Sequence, residues 1–139
     1  MAQFVMQDLV NKAGLTDKFF IDSAATSREA LGCSPDLRTV NKLKREGIPS
    51  LKHRARQVKA SEYDEFDYII IMDDLNLTNI SRIIPNDDER KIHKLLEYAE
   101  GYHRLNIADP WYTLDFDTAF IDIKAGCEGL LKTLSESNQ

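Results

Sequence analysis

Apolar residues recur every four positions at the beginning of the chain, as they do on one face of an amphipathic helix. Gly14 follows the last of them and is well placed to end the helix. No residue stands ahead of the first turn to cap it, so the chain's own ammonium group would lie at the positive end of the helix dipole, at a cost of about 0.3–1 kcal/mol. The residues of this predicted face are Met1, Val5, Leu9 and Ala13.

Two apolar segments predict β-strands. Residues 66–72 (FDYIIIM) form a nearly continuous apolar run, which is typical of a strand that helices cover on both faces in a parallel sheet. Residues 18–23 predict a shorter strand that leads into the small-residue turn at 24–27. Residues 91–98 carry enough apolar side chains for either a short helix or a strand.

Helices are predicted between these strands and after them. One runs over residues 34–46 and another over residues 75–84. The last helix has a long apolar stripe over residues 116–134. Residues 109–113 are predicted to form a loop, since Pro110 disfavours a helical conformation of the residue before it. The alternation of strands and helices predicts an α/β sandwich with a mostly parallel sheet.

The composition fits one folded domain. The chain has 139 residues, 42% of them apolar, and that is enough to build a hydrophobic core. We expect this domain to cover residues 1–134 and the polar residues 135–139 to form a tail. The net charge of -5 argues mildly against a nucleic-acid-binding surface.

A basic stretch between Lys42 and Lys59 contrasts with this acidic background. It contains seven Lys or Arg residues and one acid, Glu46. Because no Phe, Tyr or Trp lies among these cations, stacking on nucleic-acid bases is not expected, and a solvated helix face and loop is the simpler interpretation. We therefore expect no nucleic-acid partner.

The cellular compartment is predicted from signals that the sequence lacks. No apolar run approaches the length of a membrane-spanning helix, and the N-terminus does not have the pattern of a signal peptide. Cys33 and Cys127 show neither CxxC spacing nor a disulfide framework. These features predict a cytoplasmic protein without a membrane partner.

Four segments together resemble the low-molecular-weight protein tyrosine phosphatases in their order and spacing. The resemblance extends from Met1 to about Leu134. It implies a three-layer α/β sandwich with a short, mostly parallel sheet, of the phosphatase I-like type. The segments are Ile21–Ser27 (IDSAATS), His53–Gln57 (HRARQ), Phe66–Asp73 (FDYIIIMD) and Asp109–Tyr112 (DPWY).

The resemblance also implies an activity. Proteins of this family hydrolyse phosphotyrosine through a cysteinyl-phosphate intermediate, without a metal or organic cofactor, and their substrates are phosphotyrosine proteins or small aryl phosphates. The resemblance assigns Asp109 as the acid that protonates the tyrosyl leaving group and later as the base that activates water. Outside this match, an Asp before a Pro would indicate only the start of a turn.

The same resemblance assigns binding and supporting residues. Trp111 and Tyr112 would wall the pocket and stack on the substrate ring, although the family usually has two tyrosines here, and the alternative is that both anchor the loop to the core. Ser23, His53 and Asp73 would support the phosphate loop. Taken alone, Ser23 is a turn residue and His53 a structural histidine. No His, Cys or carboxylate cluster has metal-ligand spacing.

The motif that defines the family, a Cys-x5-Arg-Ser loop, does not occur in the chain. In the family this Cys is the nucleophile, activated by loop amides and a helix N-terminus. Cys33 and Arg38 are separated by four residues, one of them a proline, and Cys127 lies on the apolar stripe of the last helix. We therefore expect the first strand and the phosphate loop, on the order of fifteen residues, to be missing, and the truncated chain to be inactive.

Three explanations of the missing loop are open. Met1 is an internal methionine of a longer or deliberately shortened chain, the chain is a catalytically dead relative that binds or regulates partners, or it is another enzyme on this scaffold. The first is favoured, since deleting an interior strand leaves backbone groups unpaired. Arsenate reduction on this fold would need further redox cysteines. If the shortened chain is ordered, we expect a strand exchanged within a homodimer, or a rearranged sheet, to fill the slot between the strands at Phe19 and Tyr68.

Overall fold

The computed structural model describes residues 1–26, 36–50 and 56–137. Within these residues a short parallel sheet lies between helices. Along the chain the elements are α1 (Ala2–Lys12), α2 (Leu37–Arg45), α3 (Glu62–Glu65), β1 (Ile69–Ile71), α4 (Asp74–Ile83), β2 (Ile92–Lys94), α5 (Pro110–Thr113) and α6 (Phe116–Ser137), with 3₁₀ turns at Thr16–Lys18 and Leu95–Tyr98.

In the described part of the chain, the sheet consists of β1 and β2, which run parallel with Ile69 opposite Ile92. Successive side chains of a strand point to opposite faces of its sheet. Ile69 and Ile71 pack in a smaller core with α4, whereas Ile70 packs against a larger core with α1 and α6. Helices therefore cover both faces of the sheet, and the predicted α/β architecture around a short parallel sheet is confirmed.

The larger core is formed mainly by α1, α6 and the 3₁₀ turn Leu95–Tyr98. Two glycines of α6, Gly126 and Gly129, face this turn. A Cβ atom at Gly129 would lie 1.8 Å from the carbonyl oxygen of Tyr98, so only glycine lets the helix approach so closely. The buried side chains of this core are Phe4, Val5, Met6, Val10, Leu43, Ile48, Leu95, Leu96, Ile107, Phe120, Ile123, Cys127 and Leu130.

The ends of α1 and α2 follow the sequence expectation. Gly14 and Gly47 have φ angles of +72° and +73°, in the left-handed region that glycine occupies most readily at helix ends. Met1 stands at the N-cap of α1 and makes no capping bond from its side chain. At the start of α2, by contrast, the Asp36 carboxylate accepts a hydrogen bond from the N–H of Arg38.

The strand predicted over residues 18–23 is wrong. Residues 19–24 have no strand assignment, although Phe19 itself has extended backbone angles. A strand is stabilised only when a neighbouring strand bonds to its backbone groups. Here the first such contact in the described residues comes later, in an isolated parallel bridge between Ala25 and Gln57.

The remaining strand predictions hold in part. The strand predicted over residues 66–72 is confirmed in its central portion, Ile69–Ile71. Residues 91–98 contain both predicted alternatives one after the other: strand β2 is followed directly by the 3₁₀ turn Leu95–Tyr98.

The loop predicted over residues 109–113 contains the one-turn helix α5. Asp109 caps it and Pro110 occupies its first turn, where a missing N–H costs no hydrogen bond. The last helix, α6, continues to Ser137, beyond the boundary expected at Leu134, since neither Gly nor Pro interrupts its final residues.

Across the described ranges, no helix combines the length and the apolar character that a membrane span requires.

Candidate active site

The segment that leads to Asp109 is fixed to the end of β1. Ile107 is buried, and its N–H donates a hydrogen bond to the carbonyl oxygen of Met72 at 2.9 Å. Three residues before Ile107, Arg104 forms an ion pair of 2.9 Å with the buried carboxylate of Asp122 on α6. Asp109 therefore emerges at the carboxyl end of the sheet, the edge at which parallel α/β folds commonly bind ligands.

The Asp109 side chain is held by the helix that it starts. Its Oδ1 atom accepts a hydrogen bond from the N–H of Trp111 at 2.9 Å, and its carbonyl oxygen accepts one from Thr113 at 3.2 Å. Leu114 ends α5 in a left-handed conformation with φ of 61°. Asp109 itself is exposed. Its carboxylate therefore has a direction fixed by the hydrogen bond and remains within reach of a ligand from solvent.

Trp111 and Tyr112 lie on the surface beside this carboxylate. Their exposed fractions are 63% and 72%, which contradicts the alternative that both aromatics anchor the loop to the core. Exposed rings leave surface that a ligand can cover. Both rings belong to the one-turn helix that Asp109 caps.

Arg38 covers part of the Trp111 ring and was not recognised as a site residue in the sequence. Its guanidinium carbon lies 5.5 Å from the centre of the Trp111 ring and 5.0 Å from that of Phe116. A groove of about 490 Å³ begins beside these contacts, between α2 and the residues 114–117. Hydrogen bonds from Arg38 lower the pKa of Asp36 below its ordinary value. In the sequence, Arg38 was weighed only as the arginine of a phosphate loop that would begin at Cys33, for which the spacing is one residue too short.

Asp73 begins α4 at the same edge of the sheet. Its Oδ1 accepts a hydrogen bond from the N–H of Asn76 at 2.8 Å, while Oδ1 of Asn76 accepts one from the N–H of Met72 at 3.0 Å. Met72 is also the residue whose carbonyl oxygen binds the Asp109 segment. One hydrogen-bonded junction therefore brings Asp73 and Asp109 to the same end of β1.

A second polar cluster joins the ends of both strands to the Asp109 segment. Lys94, the last residue of β2, donates hydrogen bonds to Asp74 and to Oδ1 of Asn106, the latter at 2.9 Å. Asn106 in turn donates to Asp74 at 3.0 Å. The hydrogen bond from Lys94, followed by that from Asn106, lowers the pKa of Asp74.

Ser23 is positioned by a different contact. Its hydroxyl donates to Oε1 of Gln3, on the first turn of α1, at 2.5 Å, and its N–H donates to the Asp22 carboxylate at 2.8 Å. The predicted supporting residue Ser23 therefore lies beside the start of α1. The predicted His53 lies outside the described residues, as does Cys33.

Cys127 is a core residue. It is 2% exposed, and its Sγ atom lies 4.0 Å from the carbonyl oxygen of Ala2. Burial raises the pKa of the thiol to about 12, so the thiolate that nucleophilic chemistry requires is scarce at neutral pH.

Among the described residues, no three His, Cys, Asp or Glu side chains are grouped so that they could hold a metal ion.

The arrangement at the end of β1 suits one chemical task. The exposed Asp109 carboxylate is held by the N–H of Trp111, and the rings of Trp111 and Tyr112 are both exposed. A carboxylic acid in that position donates a proton to a departing aromatic alcohol.

Known proteins that resemble this chain share one family description. The family model described as low molecular weight phosphotyrosine protein phosphatase matches residues 1–139. A Bacillus subtilis protein, low molecular weight protein-tyrosine-phosphatase YfkJ, is 36% identical over 139 residues, 100% of this chain and 89% of the relative. A Schizosaccharomyces pombe phosphatase of the same family is 36% identical over 138 residues, 97% of this chain and 88% of the relative. The crystal structure of YfkJ superposes with a TM-score of 0.94 over 99% of this chain and 87% of that chain.

Proposed function

The chain belongs to the low molecular weight phosphotyrosine protein phosphatase family, and from this premise we propose which part of the phosphatase site its 139 residues supply. They carry the general acid and the aromatic walls of the site. They do not carry the nucleophile, so this 139-residue chain does not hydrolyse phosphotyrosine by itself. Its substrates, once a nucleophile loop is supplied, are phosphotyrosine proteins and small aryl phosphates. The observation that carries the proposal is the exposed Asp109 carboxylate, held by the N–H of Trp111 at the start of a helix whose two aromatic rings are exposed.

Asp109 is the acid and base of the proposed reaction. In the first step it would protonate the phenolic oxygen as the bond to phosphorus breaks, and in the second it would take a proton from the attacking water. Both steps need a carboxyl group that reaches a ligand and does not rotate freely. The cap bond to Trp111 and the anchor from Ile107 to Met72 support this role.

Trp111 and Tyr112 are the proposed walls for the substrate ring. Stacking between aromatic rings contributes about 0.5–1.5 kcal/mol beyond the burial of their area. The exposure of both side chains supports this role, because it leaves ring surface for a ligand to cover. A tryptophan in place of the usual first tyrosine offers a larger surface, and we expect it to change the preference among aryl substrates.

Asp73, Ser23 and His53 are the proposed supports of a phosphate loop. Asp73 is fixed at the end of β1 by its bond to Asn76, and Ser23 lies beside the first turn of α1. These positions support the assignment because the family's loop leads into that helix. His53 is assigned by its place in the HRARQ segment alone.

The proposed inactivity follows from the cysteines. Cys33 is separated from Arg38 by four residues, whereas the family loop has five, and Thr133 stands at the matching position after Cys127. Burial and the raised pKa of Cys127 disfavour it as a substitute. Removing the nucleophile of a covalent mechanism eliminates nearly all of the rate. The 139-residue chain is therefore expected to release no phosphate from phosphotyrosine, and release that Cys33→Ser abolishes would refute the proposed inactivity.

A catalytically dead binding or regulatory relative is the alternative. The same exposed rings favour it, since they can bind an aromatic ligand whether or not chemistry follows. The two functions differ once a nucleophile loop is restored. A phosphatase site then turns over, whereas a binding module binds phosphotyrosine without releasing phosphate. The expected cytoplasmic location remains a prediction for either function.

We also propose that the 139-residue chain pairs with a second copy through β1, with a rearranged sheet within one chain as the alternative. Alternate backbone groups of a parallel strand point to opposite edges. The N–H of Ile69 donates a hydrogen bond to the carbonyl oxygen of Lys91, directly before β2. The backbone groups of Ile70 therefore point to the other edge of β1, where no described strand pairs. Such an edge tends to accept another strand. Sedimentation equilibrium should detect the homodimer, and a monomer at every concentration would exclude strand exchange.

A further inference from the structure

Arg38 connects the first turn of α2 with the aromatic segment that follows Asp109. Its guanidinium group lies within 6 Å of two ring centres, at 5.5 Å from Trp111 on α5 and 5.0 Å from Phe116 on α6. These distances are those of cation–π contacts. A single cation therefore contacts both the short helix that presents the proposed pocket wall and the long helix that anchors it.

Asp36 fixes the direction of the Arg38 side chain. One carboxylate oxygen accepts from Nε at 3.1 Å and the other from Nη2 at 2.8 Å, so the pair is bidentate. The same carboxylate accepts the N–H of Arg38 at 2.8 Å as the cap of α2. A bidentate bond requires the planar fork of a guanidinium group, which a lysine cannot reproduce. The cap, the fork and the ring contacts thus form one continuous chain of interactions.

Trp111 needs such a contact to keep a defined orientation. It is 63% exposed and lies on a helix of four residues, and a single turn has little stability of its own. Its N–H is fixed by Asp109, which orients the backbone but not the indole ring. Arg38 is the described group that approaches the ring from a different helix.

We propose that Arg38, oriented by Asp36, is a positioning residue that holds the Trp111 ring as a wall of the aryl pocket. The guanidinium group covers part of the ring, and the remaining surface faces solvent. The inference rests on the proposed role of Trp111 in substrate binding. It adds a determinant of aryl specificity that lies outside the four segments shared with the family, on α2.

Trp111 is the only tryptophan of the chain, so tryptophan fluorescence reports on this ring alone. The test compares acrylamide quenching of the 139-residue chain with that of Arg38→Met, which keeps a long side chain and removes the charge. Losing a cation–π contact at an exposed site lowers the population of the held ring by about two- to fivefold. We expect a higher Stern–Volmer constant and a shifted emission maximum in Arg38→Met, and an intermediate result in Arg38→Lys.

Two further variants sharpen the test. Asp36→Asn keeps a capping side chain and weakens the fork, so it should raise the quenching constant in the same direction by a smaller amount. Arg45→Met is the matched control, because Arg45 lines the same groove. Its quenching constant should equal that of the unaltered chain. Circular dichroism confirms that each variant is folded.

Equal quenching in the unaltered chain and in folded Arg38→Met would overturn the proposal. A rise in Arg45→Met as large as that in Arg38→Met would overturn it too, since general loosening of α2 would then explain both. The measurement needs no phosphate ligand. If quenching rises in Arg38→Met but no phosphotyrosine phosphatase activity can be restored to the chain, the positioning role stands and the proposed function fails.

Discussion

Gly129→Ala is expected to destabilise the protein by about 3–5 kcal/mol, at the upper end of single substitutions. The added Cβ would lie 1.8 Å from the carbonyl oxygen of Tyr98 and 2.6 Å from its carbonyl carbon. Both are backbone atoms, so no side-chain rotation relieves the overlap. The 3₁₀ turn Leu95–Tyr98 or α6 must shift, and either movement opens the larger core.

Thermal and urea unfolding followed by circular dichroism measure this loss. Gly126→Ala is the graded comparison, since its Cβ would meet a side-chain atom, Leu95 Cγ, at 2.5 Å, and we expect a smaller loss of about 1–3 kcal/mol. Glu128→Ala, on the exposed face of α6, should change stability by no more than about 0.5 kcal/mol. If Gly129→Ala were as stable as Glu128→Ala, the close approach of α6 to the turn would be wrong.

Asp109→Ala is expected to lower the turnover of a restored enzyme by about 10²–10⁴-fold. The measurement uses an extended chain, in which a β-strand and a Cys-x5-Arg-Ser-Pro loop precede residues 1–139. Phosphotyrosine loses a poor leaving group, which needs a proton from Asp109 as the bond to phosphorus breaks. The effect should appear in kcat, because the proposed role of Asp109 lies in the chemical step and not in stacking on the substrate ring.

The leaving group provides the control for this prediction. p-Nitrophenolate is a better leaving group than tyrosine and needs less protonation, so Asp109→Ala should impair p-nitrophenyl phosphate hydrolysis less at the step that releases the alcohol. Asp115→Ala tests an exposed aspartate six residues further along, which is engaged in capping Thr118. Its kcat should remain near that of the extended chain. Equal kcat values for Asp109→Ala and the extended chain would remove Asp109 from the mechanism.

The fold class could be predicted because it depends on local patterns. The apolar run before Asp73 and the stripe along residues 116–134 each determine how an element is buried, whatever surrounds it. Residues 18–23 show the limit of this reasoning. Their composition favours a strand, but a strand also needs a partner that bonds to its backbone, and pairing in the described residues begins only at Ala25.

In the candidate site, too, residues that lie close together in the sequence could be predicted, whereas residues that act on distant parts of the chain could not. Asp109, Trp111 and Tyr112 lie within four consecutive residues, so one short motif predicts all three. Arg38 and Gly129 owe their importance to residues distant along the chain, the Trp111 ring and the Tyr98 carbonyl oxygen. In the sequence alone, Arg38 is one more basic residue and a helical glycine indicates only a loss of helix propensity.

Residues 1–139 are proposed to supply the acid and the pocket walls of a tyrosine phosphatase, without the strand and the loop that carry its nucleophile. The most direct measurement is phosphate release from phosphotyrosine by the 139-residue chain, by the extended chain and by the extended chain with Ser in place of the loop Cys. This proposed division of the site requires turnover by the extended chain alone. Turnover by the 139-residue chain at the rate of the extended chain, or a folded extended chain that releases no phosphate, would contradict it.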